Sequence, residues 1–227
     1  MKFSILSSVI LFICLINPVQ SQYLTLNGVL PNKVLYNQLK IYKYHSSFER
    51  SYVGDIEIEK GKFTYQIPKD ELDVYLIENP LNEHFVLFIW DNNITIEIDS
   101  VNFSNSKVKN SQLTNEMNTY GVIVQKTFFD PIHKIDTLIS QYKISNKYEQ
   151  HKPIIDSLMN NRGKLWDESQ RKFNEFNKRY IIDHPDSFFS LFLLTKMCVF
   201  GPKDDDKALF RHLSDRLKLH NRGKVFK

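Results

Sequence analysis

Asp55-Ile56-Glu57-Ile58-Glu59-Lys60-Gly61-Lys62-Phe63-Thr64-Tyr65-Gln66-Ile67 decides how the first half of this chain is read. Apolar and polar residues alternate on both sides of Lys60-Gly61-Lys62. That period turns one face of a strand to a core and the other to water. Gly61 supplies the positive φ that a tight turn needs. The spacing therefore predicts a β-hairpin.

The same period recurs outward from it. Leu24, Leu26 and Leu30 fall on one face of an alternating run, and Leu39-Lys40-Ile41-Tyr42 reads as the next strand. Val74 to Ile77 is a short strand. Phe85 to Trp90 is a continuous apolar run, as expected of a central strand covered on both faces. Asp91-Asn92-Asn93 turns the chain, and Ile94, Ile96 and Ile98 alternate after it. Seven or eight short strands at this spacing predict an antiparallel β-sandwich over residues 22–110.

After Ser111 the period becomes helical. Leu113, Met117, Tyr120, Val124 and Phe128 form one apolar stripe, which Pro131 is expected to interrupt. Ile132, Ile135, Ile139 and Tyr142 continue as a second short helix. A long helix is expected to start near Pro153, with Leu158, Leu165, Trp166, Phe173, Phe176 and Tyr180 on its apolar face, and to exit at Asp183-His184-Pro185. Asp186 or Ser187 caps the next helix, Phe188 to Phe200, which is apolar on nearly every side. Gly201-Pro202 ends it. A last helix carries Leu209, Leu213 and Leu217 and closes at Gly223. The fold class predicted is α+β, with an N-terminal antiparallel β-sandwich and a C-terminal helical bundle over residues 111–227.

Residues 1–21 read as a cleavable secretory signal. Lys2 is the cationic start, Ile5 to Ile16 the apolar core, Pro18 a breaker, and Val19-Gln20-Ser21 the cleavage region. An apolar core of about twelve residues is too short to span a bilayer. An uncleaved anchor and a lipoprotein signal at Cys14 are the alternatives, the second disfavoured by the bulky Ile13 before the cysteine. Without Lys2 the chain carries 29 basic and 26 acidic residues. From Gln22 to Lys152 there are 14 basic and 16 acidic residues, and from Pro153 onward 15 and 10. Neither part has a dense Lys/Arg run, so no nucleic-acid footprint is expected. No membrane span is expected after signal cleavage.

The exported part has one cysteine, Cys198, hence no internal disulfide and no Cys-x-x-Cys pair. Met197-Cys198-Val199-Phe200 is apolar, which points to a buried, inert thiol. Asp204-Asp205-Asp206 suits a helix N-terminus better than a cation, because adjacent helical side chains diverge by about 100°. Asp130, His133 and Asp136 share a helical face at i, i+3 and i+6, a spacing open to a metal or a base–orienter pair. A solvated first turn explains the same letters. His184 reads as a structural corner, and His45-Ser46-Ser47 as a loop without an acidic partner close in sequence. Asn93-Ile94-Thr95 and Asn102-Phe103-Ser104 match the N-glycosylation triplet, which matters only in a eukaryotic secretory route. Trp90, Tyr42, Tyr44 and Tyr65 are candidates for an aromatic binding patch, with ordinary cross-strand packing as the competing reading. No catalytic, cofactor or metal set is assigned.

The order of these pieces resembles the N-terminal domain of unknown function that precedes the thioredoxin-like domain in envelope thiol-disulfide oxidoreductases of Gram-negative bacteria. Tyr23-Leu24-Thr25-Leu26-Asn27-Gly28 resembles its opening strand, and Lys60-Gly61-Lys62-Phe63-Thr64-Tyr65 its Gly-x-Phe hairpin. Asn93 to Asp99 resembles the strand before the helices, Val108 to Glu116 the start of the first helix, and Asp183 to Ser187 the corner upstream of the thioredoxin part. The family commonly has Gly where Asn110 stands. No thioredoxin-like part with a Cys-x-x-Cys pair is read within these residues, so no redox residue is carried over. The resemblance implies an exported, non-catalytic module of the periplasm or cell envelope that binds a partner protein or small ligand and assists thiol-redox proteins. The alternative is a truncated remnant, or a separately encoded accessory part, of a thioredoxin-like enzyme.

Overall fold

The computed structural model describes residues 23–31, 36–46, 49–69, 72–144, 148–198 and 200–227. The signal segment 1–21, with Lys2 and Cys14, lies outside the described residues, as do Gln22, Ser47 and Val199. The chain divides after Ser111 into two compact units.

The first unit holds two four-stranded sheets. One has the order β4-β1-β7-β8, from β1 (Tyr23–Val29), β4 (Lys62–Pro68), β7 (Ile94–Glu97) and β8 (Lys107–Lys109). The other has the order β3-β2-β5-β6, from β2 (Gln38–Ser46), β3 (Glu49–Glu57), β5 (Val74–Glu78) and β6 (Phe85–Ile89). Leu26, Phe63, Ile67, Ile94 and Ile96 of the first sheet share one buried cluster with Leu39, Ile41, Ile56, Ile77 and Phe88 of the second.

The expected hairpin is corrected to a crossing between sheets. Lys60 at φ 51° and Gly61 at φ 73° form a two-residue turn with both centres left-handed. Glu59 and Lys62 exchange N–H···O bonds of 2.8 and 3.0 Å. Pairing stops there. The Ile58 N–H donates to the Asn37 carbonyl on one side, and the Leu30 N–H to the Gly61 carbonyl on the other. β3 then pairs with β2, and β4 with β1. Each arm satisfies its backbone in a different sheet.

The strands are also not all antiparallel. β1 runs antiparallel to β4 but parallel to β7, with Leu26 opposite Ile94 and Gly28 opposite Ile96. Alternation has the same period in both directions, so it carries no sign of direction. β6 is corrected from a central to an edge strand of its sheet. The central, wholly buried strand is β5. Gly28 sits beneath the Phe63 ring, where a Cβ would fall 1.8 Å from a ring carbon.

The second unit is helical, and its prolines behave differently from expectation. α1 (Gln112–Val124) passes through a π-helical turn, Gln125–Phe129, directly into α2 (Asp130–Ile144). Pro131 does not break this helix. The Asp130 N–H bonds the Gln125 carbonyl one residue further back than in an α-helix, and the wider turn takes up the register just before the proline. α3 (Tyr148–Asp183) starts before Pro153, which lies inside it. The bond lost at that proline falls close to the end where N–H groups already lack helical partners. The anticipated face of α3 is only half-buried, with Trp166 40% exposed, and its buried positions include Ser169 and Asn177.

α4 (Phe188–Met197) starts at Ser187, whose hydroxyl accepts the Phe189 N–H at 3.1 Å. Seven consecutive residues from Phe188 to Leu194 are buried, against α1, α3, α5 (Asp204–His212) and the last 3₁₀ turn, Asn221–Phe226. The helix stops at Met197, so Phe200, expected inside it, is fully exposed. The single last helix is corrected to α5, α6 (Asp215–Leu219) and the 3₁₀ turn. Leu213 is extended, and the Ser214 N–H is taken by the Pro185 carbonyl. Leu209, Leu213 and Leu217 are nonetheless all buried.

Candidate functional site

β3 is the exposed edge of its sheet. Glu49, Arg50, Ser51, Tyr52 and Val53 are all exposed, Tyr52 at 57%. Register places Tyr42 opposite Tyr52, and the rings meet edge to face at 5.7 Å. The Arg50 guanidinium lies 4.3 Å over the Tyr42 ring and pairs with the buried Glu78 carboxylate. That pairing holds the cation over the ring face, where the quadrupole attracts it. The Tyr52 hydroxyl bonds Asp55, which raises its pKa. Tyr65 reaches from β4 to bond the Val53 carbonyl at 3.4 Å, and its pKa is raised by burial and by Asp55. Three phenol rings, one guanidinium and the carboxylates of Asp55 and Glu78 thus engage β3 or the strands beside it.

This is not the expected patch. Trp90 is fully buried among Tyr75, Phe88 and Tyr65, and Tyr44 is buried as well. Only Tyr42 and Tyr65 of the four reach the surface, both half-buried. Tyr52 and Arg50 were missed. The alternation Arg50, Tyr52, Gly54 was available, but the β2–β3 register that sets Tyr52 against Tyr42 was not.

In the helical unit the densest polar group joins α1, α3 and the start of α4. Glu116 accepts from the Tyr180 hydroxyl and the Ser187 hydroxyl, each at 2.6 Å. The Tyr120 hydroxyl donates to buried Asn177. Burial raises the pKa of both phenols, and Glu116 adds to the effect on Tyr180. His184 stacks on Tyr180 at 4.2 Å, with Nδ1 2.9 Å from the Tyr180 carbonyl. The Ser187 hydroxyl donates to Glu116, and only the Ser187 backbone N–H reaches His184, at its carbonyl, so serine, histidine and glutamate do not form a nucleophile–base relay. They clamp a helix corner.

The other candidates are dispersed or engaged in structure. The Gln125 amide donates to Asp130 at 2.9 Å and lies 3.2 Å from His133 Nδ1. Asp136 pairs instead with Arg162, whose hydrogen bonds hold its carboxyl below the usual range. A shallow hollow lies beside Gly121, Gln125 and Asp130 on that same helix. Asp206 accepts the Lys203 N–H at 2.9 Å and Asp205 pairs with Lys178, so the acidic triplet caps α5 and ties it to α3. His45 lies at the end of β2, not in a loop, with Nε2 2.8 Å from the Ser51 hydroxyl. The Asn93 side chain accepts the Thr25 N–H, and Asn102 caps a 3₁₀ turn. Among the described residues no group of His, Cys, Asp and Glu is arranged to hold a metal. No described helix is long and apolar enough to cross a membrane.

Cys198 is half-buried. Burial pushes its thiol up to about 12, and Asp206, which accepts its S–H, reinforces the shift. At neutral pH it is a thiol and not a thiolate nucleophile.

No protein-family model matches the chain, and no curated protein matches it.

Proposed function

We propose that this chain is an exported, non-catalytic module of the cell envelope that binds an extended protein segment along β3, as a companion of thiol-disulfide oxidoreductases. The observation that carries the reading is the exposed edge at Arg50-Ser51-Tyr52-Val53, with Tyr42 and Arg50 fixed beside it. A strand edge offers main-chain N–H and C=O groups to an added strand, and neighbouring side chains choose the sequence. In this reading the two sheets pack face to face as a sandwich and the helices form a bundle around α4.

The redox association rests on the resemblance of motifs, and Asn110 supports it. Its φ of 65° lies in the left-handed region that glycine favours, and the resembled domain commonly carries Gly there. The 227 residues contain no Cys-x-x-Cys, and Cys198 is held protonated, so any dithiol chemistry belongs to the partner.

The test is calorimetric titration of the chain from Gln22 with a thioredoxin-like envelope oxidoreductase, in wild type and Tyr52→Asp. Saturable heat in the wild type, reduced at least about tenfold in affinity by the variant, is expected from loss of an exposed aromatic contact. No heat with either protein contradicts the redox-companion reading. Equal binding by both contradicts the placement on β3.

A further inference from the structure

The positive charge of this chain is concentrated in its last three elements. Residues 207–227 hold seven Lys and Arg side chains (Lys207, Arg211, Arg216, Lys218, Arg222, Lys224, Lys227) and one acid, Asp215, a net of +6. The whole chain carries +4, so residues 1–206 together carry −2. Counting over half-chains hides this contrast.

The structure gathers these charges around one small core. Leu209, Phe210, Leu213, Leu217 and Phe226 are buried, and the Phe210 and Phe226 rings stack at 4.8 Å. A Cβ on Gly223 would stand 3.0 Å from the Phe210 ring and 3.1 Å from the Lys218 carbonyl oxygen, so the 3₁₀ turn is pressed onto both α5 and α6. Arg211 and Lys224 each follow in sequence a residue of that contact, Phe210 and Gly223, and both are exposed. Lys207 and Arg211 are one helical turn apart. Lys207, Arg211, Lys224 and Lys227 are exposed, and no ion pair engages them among the described residues.

Two apolar side chains interleaved in sequence with these cations stay outside the core. Leu219 is 76% exposed and Val225 is 58% exposed. Cations interleaved with exposed aliphatic groups suit a surface that presents fixed negative charge over an apolar layer. An anionic bilayer is such a surface. Polyanions without an apolar layer give Leu219 and Val225 nothing to contact.

We infer that residues 207–227 form a docking surface for an anionic lipid bilayer, holding the protein at the membrane face by cation–headgroup attraction and shallow burial of Leu219 and Val225. This does not rest on the reading of β3.

The test is vesicle co-sedimentation of the chain from Gln22. Vesicles of mixed phosphatidylglycerol and phosphatidylcholine are compared with phosphatidylcholine alone. Binding to the mixed vesicles is expected, at least about tenfold weaker on the neutral ones and weaker again at about 0.5 M salt. Lys207→Gln with Arg211→Gln is expected to reduce it roughly tenfold or more. Leu219→Ser with Val225→Ser alters only exposed positions, so the fold is retained, as circular dichroism will check, and binding should fall several-fold. Equal sedimentation with both vesicle types, or with neither, overturns the inference. So does full binding by the Leu219→Ser, Val225→Ser protein, which would leave a purely electrostatic polyanion site.

Discussion

In the sheet unit Phe88 and Trp90 meet other rings and aliphatic side chains, with every facing residue of β5 buried beside them. In the helical unit Tyr120 and Tyr180 also pack ring on ring, at 4.8 Å, but their hydroxyls end on Asn177 and Glu116. The sheet unit rests chiefly on packed apolar volume, with the Lys43–Asp73 and Arg50–Glu78 pairs at its margin. The other adds polar clamps that only one arrangement of α1, α3 and α4 satisfies. A buried polar pair contributes less net stability than a buried ring, and it penalises every arrangement that leaves it unpaired.

Truncating a core ring should break the first unit most severely. Phe88→Ala removes a fully buried side chain, and a loss of about 3–5 kcal/mol in urea denaturation is expected. A loss below about 1 kcal/mol would mean that the sheet core is loosely packed. Tyr120→Phe keeps the ring and deletes only the hydroxyl that donates to buried Asn177. Its expected cost is about 1–3 kcal/mol, and no cost would show that the clamp contributes nothing. Ser187→Ala removes the cap of α4 and one donor to Glu116, for about 1 kcal/mol.

The gentlest probe is alkaline pH. Cys198 is raised from its ordinary 9.0 to about 12 in the folded chain. The folded state therefore holds this proton more tightly than the unfolded state. The contribution is fully present below pH 9 and is lost as pH rises from 9 toward 12. Cys198→Ser should flatten the alkaline part of a stability–pH curve. An unchanged curve would remove the thiol from the helical unit's stability.

Much of the fold was legible because a short period in sequence matches a short period in space. Leu24, Leu26, Ile94 and Ile96 are buried as their alternation requires, and Ser187 caps as its position before an apolar run suggests. What was not legible depends on distant partners. Lys60-Gly61 signals a tight turn, yet nothing near it tells that Ile58 will be held by Asn37 and Leu30 by Gly61. Direction of pairing is invisible in Leu26 and Ile94 alone. Pro131 is a breaker by local rules, and a π-helical turn absorbs it. The β3 site suffered in the same way, because Tyr52 becomes part of a cluster only when the register brings Tyr42 and Arg50 to it.

We propose that this chain works through its surfaces and not through chemistry of its own. Insulin reduction by the purified chain from Gln22, with dithiothreitol as reductant, tests it most directly. The expected rate equals that of dithiothreitol alone and is unchanged in Cys198→Ser. A rate clearly above that background and abolished by Cys198→Ser would contradict it.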